Sequence, residues 1–201
     1  MDISAFLAYC IIVTFTPGPT NVIILSLVQD LGTHRTLRFV FGATTAFGSL
    51  LTMSALLNST LDSVLPKYLQ VMRVLGSLYI SYLAFKIFFA NAHNISSREK
   101  AISATFLNGF LLQFINPKVI LFTMTVIPSF VLPFYNTRKM LSIFVLIIMI
   151  IGLMAFNTWV IFGSIFKKFL TKYQNILNKV MALFLVYSAI LTSGVKEFIF
   201  R

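Results

Sequence analysis

Two short stretches hold the residues that can do chemistry: Thr16-Pro17-Gly18-Pro19-Thr20-Asn21 and Gln113-Phe114-Ile115-Asn116-Pro117-Lys118. Each lies in the middle of a long apolar run that would otherwise continue as one helix. Pro117 has no N–H, and its ring collides with the carbonyl of Gln113, so the helix must break or kink there. Pro17 and Pro19 do the same to the carbonyls of Val13 and Phe15. We read both stretches as unwound functional breaks, because freed backbone groups at membrane depth persist only beside a cavity or packed protein.

Lys118 sharpens that reading. A lysine at mid-membrane costs about 2.5–3.5 kcal/mol on insertion scales, and it has no acid beside it. The five acids, Asp2, Asp30, Asp62, Glu99 and Glu197, all fall in expected termini or loops. Two groups could compensate the ammonium. One is the set of carbonyls at the end of the half-helix before it, Gln113 included. The other is a substrate carboxylate. The half-helices that start after Pro19 and Pro117 aim free N–H groups and a positive dipole end at the same region. Thr16, Thr20, Asn21, Gln113 and Asn116 add neutral donors and acceptors, while Pro17, Gly18, Pro19 and Pro117 shape the breaks. Asn157, inside a later apolar run, serves either as a ligand contact or as inter-helical glue. Together these residues suit a small zwitterion or anion better than a cation.

The elements that must hold these residues are membrane helices. The chain has 201 residues, of which 58% are hydrophobic and 10% charged; a globular domain carries about 25% charged residues. Six apolar runs, at residues 3–28, 39–57, 68–90, 102–131, 140–166 and 180–195, approach the roughly 20 residues that cross a bilayer. The expected fold is therefore an all-α integral membrane protein of six transmembrane helices, with the first and fourth broken. That leaves no room for a soluble catalytic domain. No basic segment precedes the first run, so it reads as a retained span rather than a cleaved leader. Gly42, Ala46 and Ser49 give the second run a small-residue face for close packing.

The net charge of +11 sits in the gaps between runs, which read as loops, among them one with Arg35 and Arg38 and one with Lys167, Lys168, Lys172 and Lys179. That placement fits loops facing anionic lipid and argues against nucleic acid. Cys10 is the only cysteine, which excludes an intrachain disulfide or a dithiol pair. His34 and His93 stand apart in loops and form no metal cluster; no cofactor is expected. A membrane electron-transfer role lacks its cysteine pair, and an intramembrane hydrolase lacks a Ser/His or paired-carboxylate site.

Pro17 and Pro117 are one hundred residues apart, each in the first run of a three-run half. Val74-Leu75-Gly76-Ser77-Leu78-Tyr79 also echoes Val180-Met181-Ala182-Leu183-Phe184. We expect two three-helix repeats, residues 1–95 and 96–201, within one membrane domain. Three is odd, so one repeat enters the membrane inverted, and paired breaks in inverted halves point to a transporter's binding site. Nine Lys and Arg fall on one side and six on the other, with Lys118 set aside as buried, which favours both termini outside.

The stretch from Phe15 to Asn21, Gly32, Gly42, Gly76-Ser77-Leu78-Tyr79-Ile80, and the stretch from Leu112 to Lys118 resemble the LysE/RhtB family of amino-acid exporters. Ser129-Phe130-Val131-Leu132-Pro133 and Leu185-Val186-Tyr187-Ser188 are most like its cysteine/O-acetylserine exporter branch. The resemblance implies a transporter rather than an enzyme. It would export a small neutral amino acid across a bacterial inner membrane, driven by an ion gradient. Its partners would be the amino acid and the lipid bilayer, with a homo-oligomer left open. Family members often have Asp or Asn after Pro-Gly-Pro; here it is Thr20, so no acidic role is carried to that position. In the expected alternating-access cycle the substrate carboxylate meets Lys118, and Thr20, Asn21 or unwound carbonyls take the amino group. Asp30 reads as a solvated loop residue or as a group dipping into the cytoplasmic mouth. A channel-like or accessory membrane subunit is the alternative, since it needs no coupling acid.

Overall fold

A computed structural model describes residues 1–56, 77–78, 80–82, 84–85, 87–89 and 103–192. The described residues hold helices and no strand. In chain order the helices are α1 (Ile3–Phe15), α2 (Pro19–Leu31), α3 (Thr33–Leu56), α4 (Phe106–Ile115) and α5 (Pro117–Val126). A π-helical turn at Ile127–Val131 extends α5; α6 (Arg138–Ile165), α7 (Lys167–Lys172) and α8 (Gln174–Thr192) follow.

Local chemistry sets each boundary. Asp2 caps α1 by accepting the N–H groups of Ser4 and Ala5. Thr16 then turns extended (ψ 146°), as a residue before proline tends to do, and α1 stops. Pro19 opens α2 at its first position, where a missing N–H does no harm. α2 ends at Gly32, whose φ of 79° is in the region that favours glycine. The second break repeats the pattern with different residues. Asn116 closes α4 and caps α5 by accepting the Lys118 N–H at 3.1 Å, with Pro117 at the first helical position.

α1 and α2 meet at 47°, and the two helical pieces of the fourth run at 69°. By length and apolar composition α3 and α6 each suffice to cross a membrane, and each bent pair does so when its two pieces are counted as one span. The broken first and fourth runs are therefore present. α8 contains an apolar stretch, Asn175–Tyr187, and the described positions between 77 and 88 are helical. The rest of the expected third run and the midpoint linker lie outside the described residues. So do Val74 to Gly76 and Tyr79 of the expected echo.

Two expected loops are corrected. Arg35 and Arg38 ride in the first turns of α3, since Gly32 alone turns the chain between α2 and α3. The lysine-rich gap is mostly helical, with Lys167, Lys168 and Lys172 in α7 and Lys179 in α8. No glycine or proline falls in the first turns of α3 or in α7, and long basic side chains can reach an interface from a helical backbone.

α3 and α6 form the centre, contributing to both apolar cores. α3 and α4 cross backbone to backbone. A Cβ on Gly42 would lie 1.9 Å from the Phe106 carbonyl oxygen, and one on Gly109 would lie 2.0 Å from that of Phe39. Glycine on both sides is what lets the helices approach so closely. Large apolar side chains such as Phe41, Leu107, Leu146 and Ile161 are exposed on the outside, as suits helices solvated by lipid.

Candidate solute-binding site

The two breaks meet. Lys118, in the first turn of α5, reaches across to the end of α1. Its Nζ donates to the Thr16 carbonyl at 2.6 Å, to Thr16 Oγ1 at 3.1 Å and to the Pro17 carbonyl at 3.5 Å. The sequence offered the Gln113 carbonyl as a compensating group; instead that oxygen accepts the Asn116 N–H at 3.3 Å. The neutralising carbonyls come from the other break, and only the three-dimensional fold brings them there. Gly18 makes the approach possible: a Cβ there would stand 2.8 Å from Lys118 Cδ.

The carbonyls released by the first break are matched in turn. Val13 O receives the Thr16 hydroxyl at 3.0 Å. Phe15 O receives the Trp159 indole N–H of α6 at 3.2 Å. Asn21 Nδ2 bridges Thr14 O at 3.2 Å and Thr16 O at 2.9 Å. The amide thus ties the start of α2 back to the end of α1.

A second polar knot joins the breaks. Thr20 Oγ1 accepts Asn116 Nδ2 at 2.7 Å and Gln113 Nε2 at 3.1 Å, while Gln113 Oε1 lies 3.4 Å from the same hydroxyl. Thr20, Gln113 and Asn116 are all buried. Each polar side-chain atom of the three has a partner, so the knot holds the breaks in register.

Between the breaks lies a cavity of about 380 Å³, open mouth included. Its lining includes Thr14, Gly18, Thr20, Asn21, Asn116 and Lys118 together with the aromatic Phe47, Phe122 and Phe156. Thr16, Pro17, Pro19 and Gln113 do not line the cavity, and Pro117 is known here only as the first position of α5. Asn157 does not line the cavity; its Nδ2 donates to Leu153 O on its own helix at 2.8 Å. Sequence reasoning missed Thr14, Phe47, Phe122, Gly152 and Phe156. Thr14 precedes the break by two residues and could have been found; the others carry no local signal. Among the described residues no group of three His, Cys, Asp or Glu could hold a metal ion.

A small cavity between two apolar helix pairs, each opened at a proline, fits a membrane translocator. The chain belongs to the LysE-type translocator family, whose model matches residues 11–192. It is 31% identical over 188 residues to the cysteine/O-acetylserine efflux protein of Escherichia coli O157:H7, covering 94% of this chain and 95% of that one. The protein of the same name from Klebsiella pneumoniae subsp. pneumoniae is 32% identical over 188 residues, with coverage of 94% and 95%. That from Salmonella typhimurium is 30% identical over 190 residues, with coverage of 94% and 96%. No solved structure matches the chain. Members of this family are transporters, not enzymes.

Proposed function

We propose that the protein exports a small neutral amino acid or derivative, of the cysteine or O-acetylserine kind, by alternating access across a bacterial inner membrane. The observation that carries the reading is Lys118. The residue lines a cavity at the junction of the two breaks, and the hydrogen-bonding partners of its ammonium are neutral oxygens. A carboxylate entering the cavity supplies the missing counter-charge, and a charge-assisted bond in a low-dielectric site is stronger than a neutral one. To take it, Nζ must give up part of its hold on Thr16 and Pro17. Substrate binding therefore loosens the strap between the breaks, which ties occupancy to movement of one repeat against the other.

In this reading residues 1–95 and 96–201 are the inverted repeats that rock about the site, with both termini periplasmic and an ion gradient driving export. The apolar wall accommodates a short uncharged side chain. Trapping labelled cysteine and O-acetylserine in liposomes containing the purified protein tests the proposal. Saturable efflux, accelerated by unlabelled substrate outside, is expected of a carrier. Flux that rises linearly with concentration, with single-channel currents, would instead mark a channel.

A further inference from the structure

The acceptors lining the cavity are not equally occupied. The Thr20 hydroxyl already receives two amide N–H groups, and Asn116 Oδ1 receives the Lys118 backbone N–H. The Thr16 carbonyl behind them receives both Lys118 Nζ and Asn21 Nδ2. Asn21 Oδ1 is different. It is buried and has no hydrogen-bond partner, on a residue only 3% exposed that lines the cavity.

Its orientation is forced. Nδ2 donates to two carbonyl oxygens, Thr14 O and Thr16 O; turned over, the amide would set its own oxygen against both. The oxygen must therefore face away from them, as an acceptor that only a donor can match. Lysine cannot serve from its present place, since Nζ is committed to Thr16 and Pro17. We infer that Asn21 Oδ1 accepts the α-ammonium of the transported amino acid. This rests on the proposed reading in which Lys118 takes the carboxylate, and it settles which of Thr20, Asn21 and the unwound carbonyls reads the other end. A ligand with a carboxylate but no N–H leaves Oδ1 desolvated and unmatched, so the site rejects it.

The test uses purified protein in liposomes and competition against efflux of labelled cysteine. The competitors are unlabelled cysteine, 3-mercaptopropionate, which lacks the ammonium, and cysteamine, which lacks the carboxylate. Wild-type protein should bind cysteine about 10- to 100-fold better than 3-mercaptopropionate, the range of a hydrogen bond to a charged group. Asn21→Leu should bring that ratio towards one. Because the ratio is taken within one preparation, it does not depend on how much protein folds. Equal competition by both acids in the wild type, or an undiminished ratio in Asn21→Leu, overturns the assignment. If the variant does not assemble, the wild-type ratio decides. Failure of the carboxylate reading looks different: cysteamine would then compete as well as cysteine.

Discussion

Lys118 and Asn21 share one acceptor, the Thr16 carbonyl, which takes Nζ at 2.6 Å and Nδ2 at 2.9 Å. One oxygen at the end of α1 thus joins the α5 lysine to the α2 amide. Anything that draws Lys118 away leaves Asn21 as the main tie on that carbonyl. The two ends of a zwitterion would be read by residues coupled through a single atom.

Gly18→Ala should interfere with this arrangement without unfolding the protein. The new methyl would sit 2.8 Å from Lys118 Cδ, and a flexible side chain can give way where backbone cannot. Displacing the ammonium from a charge-assisted bond predicts about a 10- to 100-fold fall in transport efficiency. Efflux rates at matched, correctly inserted protein would show it. Unchanged rates would mean that the lysine works equally well from another position.

Gly42→Ala should act on the fold instead. Its Cβ would lie 1.9 Å from the Phe106 carbonyl oxygen, with backbone atoms on both sides of the crossing. Overpacking of this kind costs about 1–3 kcal/mol or more, so the detergent-solubilised variant should melt well below the wild type. A melting temperature within a degree or two of wild type would contradict the observed closeness of α3 and α4.

Thr20→Val keeps the shape of the side chain but removes the acceptor shared by Gln113 and Asn116. Two buried amide donors would lose their partner, at about 1–3 kcal/mol for each group left unsatisfied. Thr20→Ser keeps the hydroxyl and should retain most of the stability. Thermal unfolding of the pair separates the two outcomes, and equal melting of Val and Ser variants would argue against the knot.

Gly152→Ala should narrow the cavity. An added Cβ would lie 2.5 Å from Phe47 Cε1, and both residues line the cavity wall. Pushing the ring inwards should reduce transport of the bulkier O-acetylserine more than that of cysteine, by about tenfold if a methylene or two is refused. A parallel loss for both substrates would show that Phe47 does not measure side-chain size.

Much of this was legible in the sequence because prolines act locally. Pro17, Pro19 and Pro117 dictate breaks from covalent structure alone, and α1–α2 and α4–α5 divide at those places. The small face containing Gly42 was also visible, since residue size is written in the sequence. What was not legible depends on partners distant in the chain. The Lys118 ammonium could be seen to need acceptors, yet nothing nearby said that they belong to Thr16 and Pro17. Trp159 lies in an apolar run of the sequence, but its bond to Phe15 O needs α6 packed against the first break. The aromatic wall of Phe47, Phe122 and Phe156 sits in ordinary apolar filler, indistinguishable by type from lipid-facing neighbours. Arg35 and Arg38 were placed in a loop because charge was taken as the end of a helix; the backbone carries them in α3 without strain.

The central claim is that the Lys118 ammonium binds the substrate's carboxylate, and Lys118→Met tests it most directly. Methionine keeps much of the length and apolar stem while deleting the charge. Concentration-dependent efflux of labelled cysteine from liposomes should be compared at equal amounts of folded wild-type and variant protein. The account predicts that saturable efflux disappears in the variant while the protein stays monodisperse and inserted. Efflux with wild-type KM and maximal rate would contradict it.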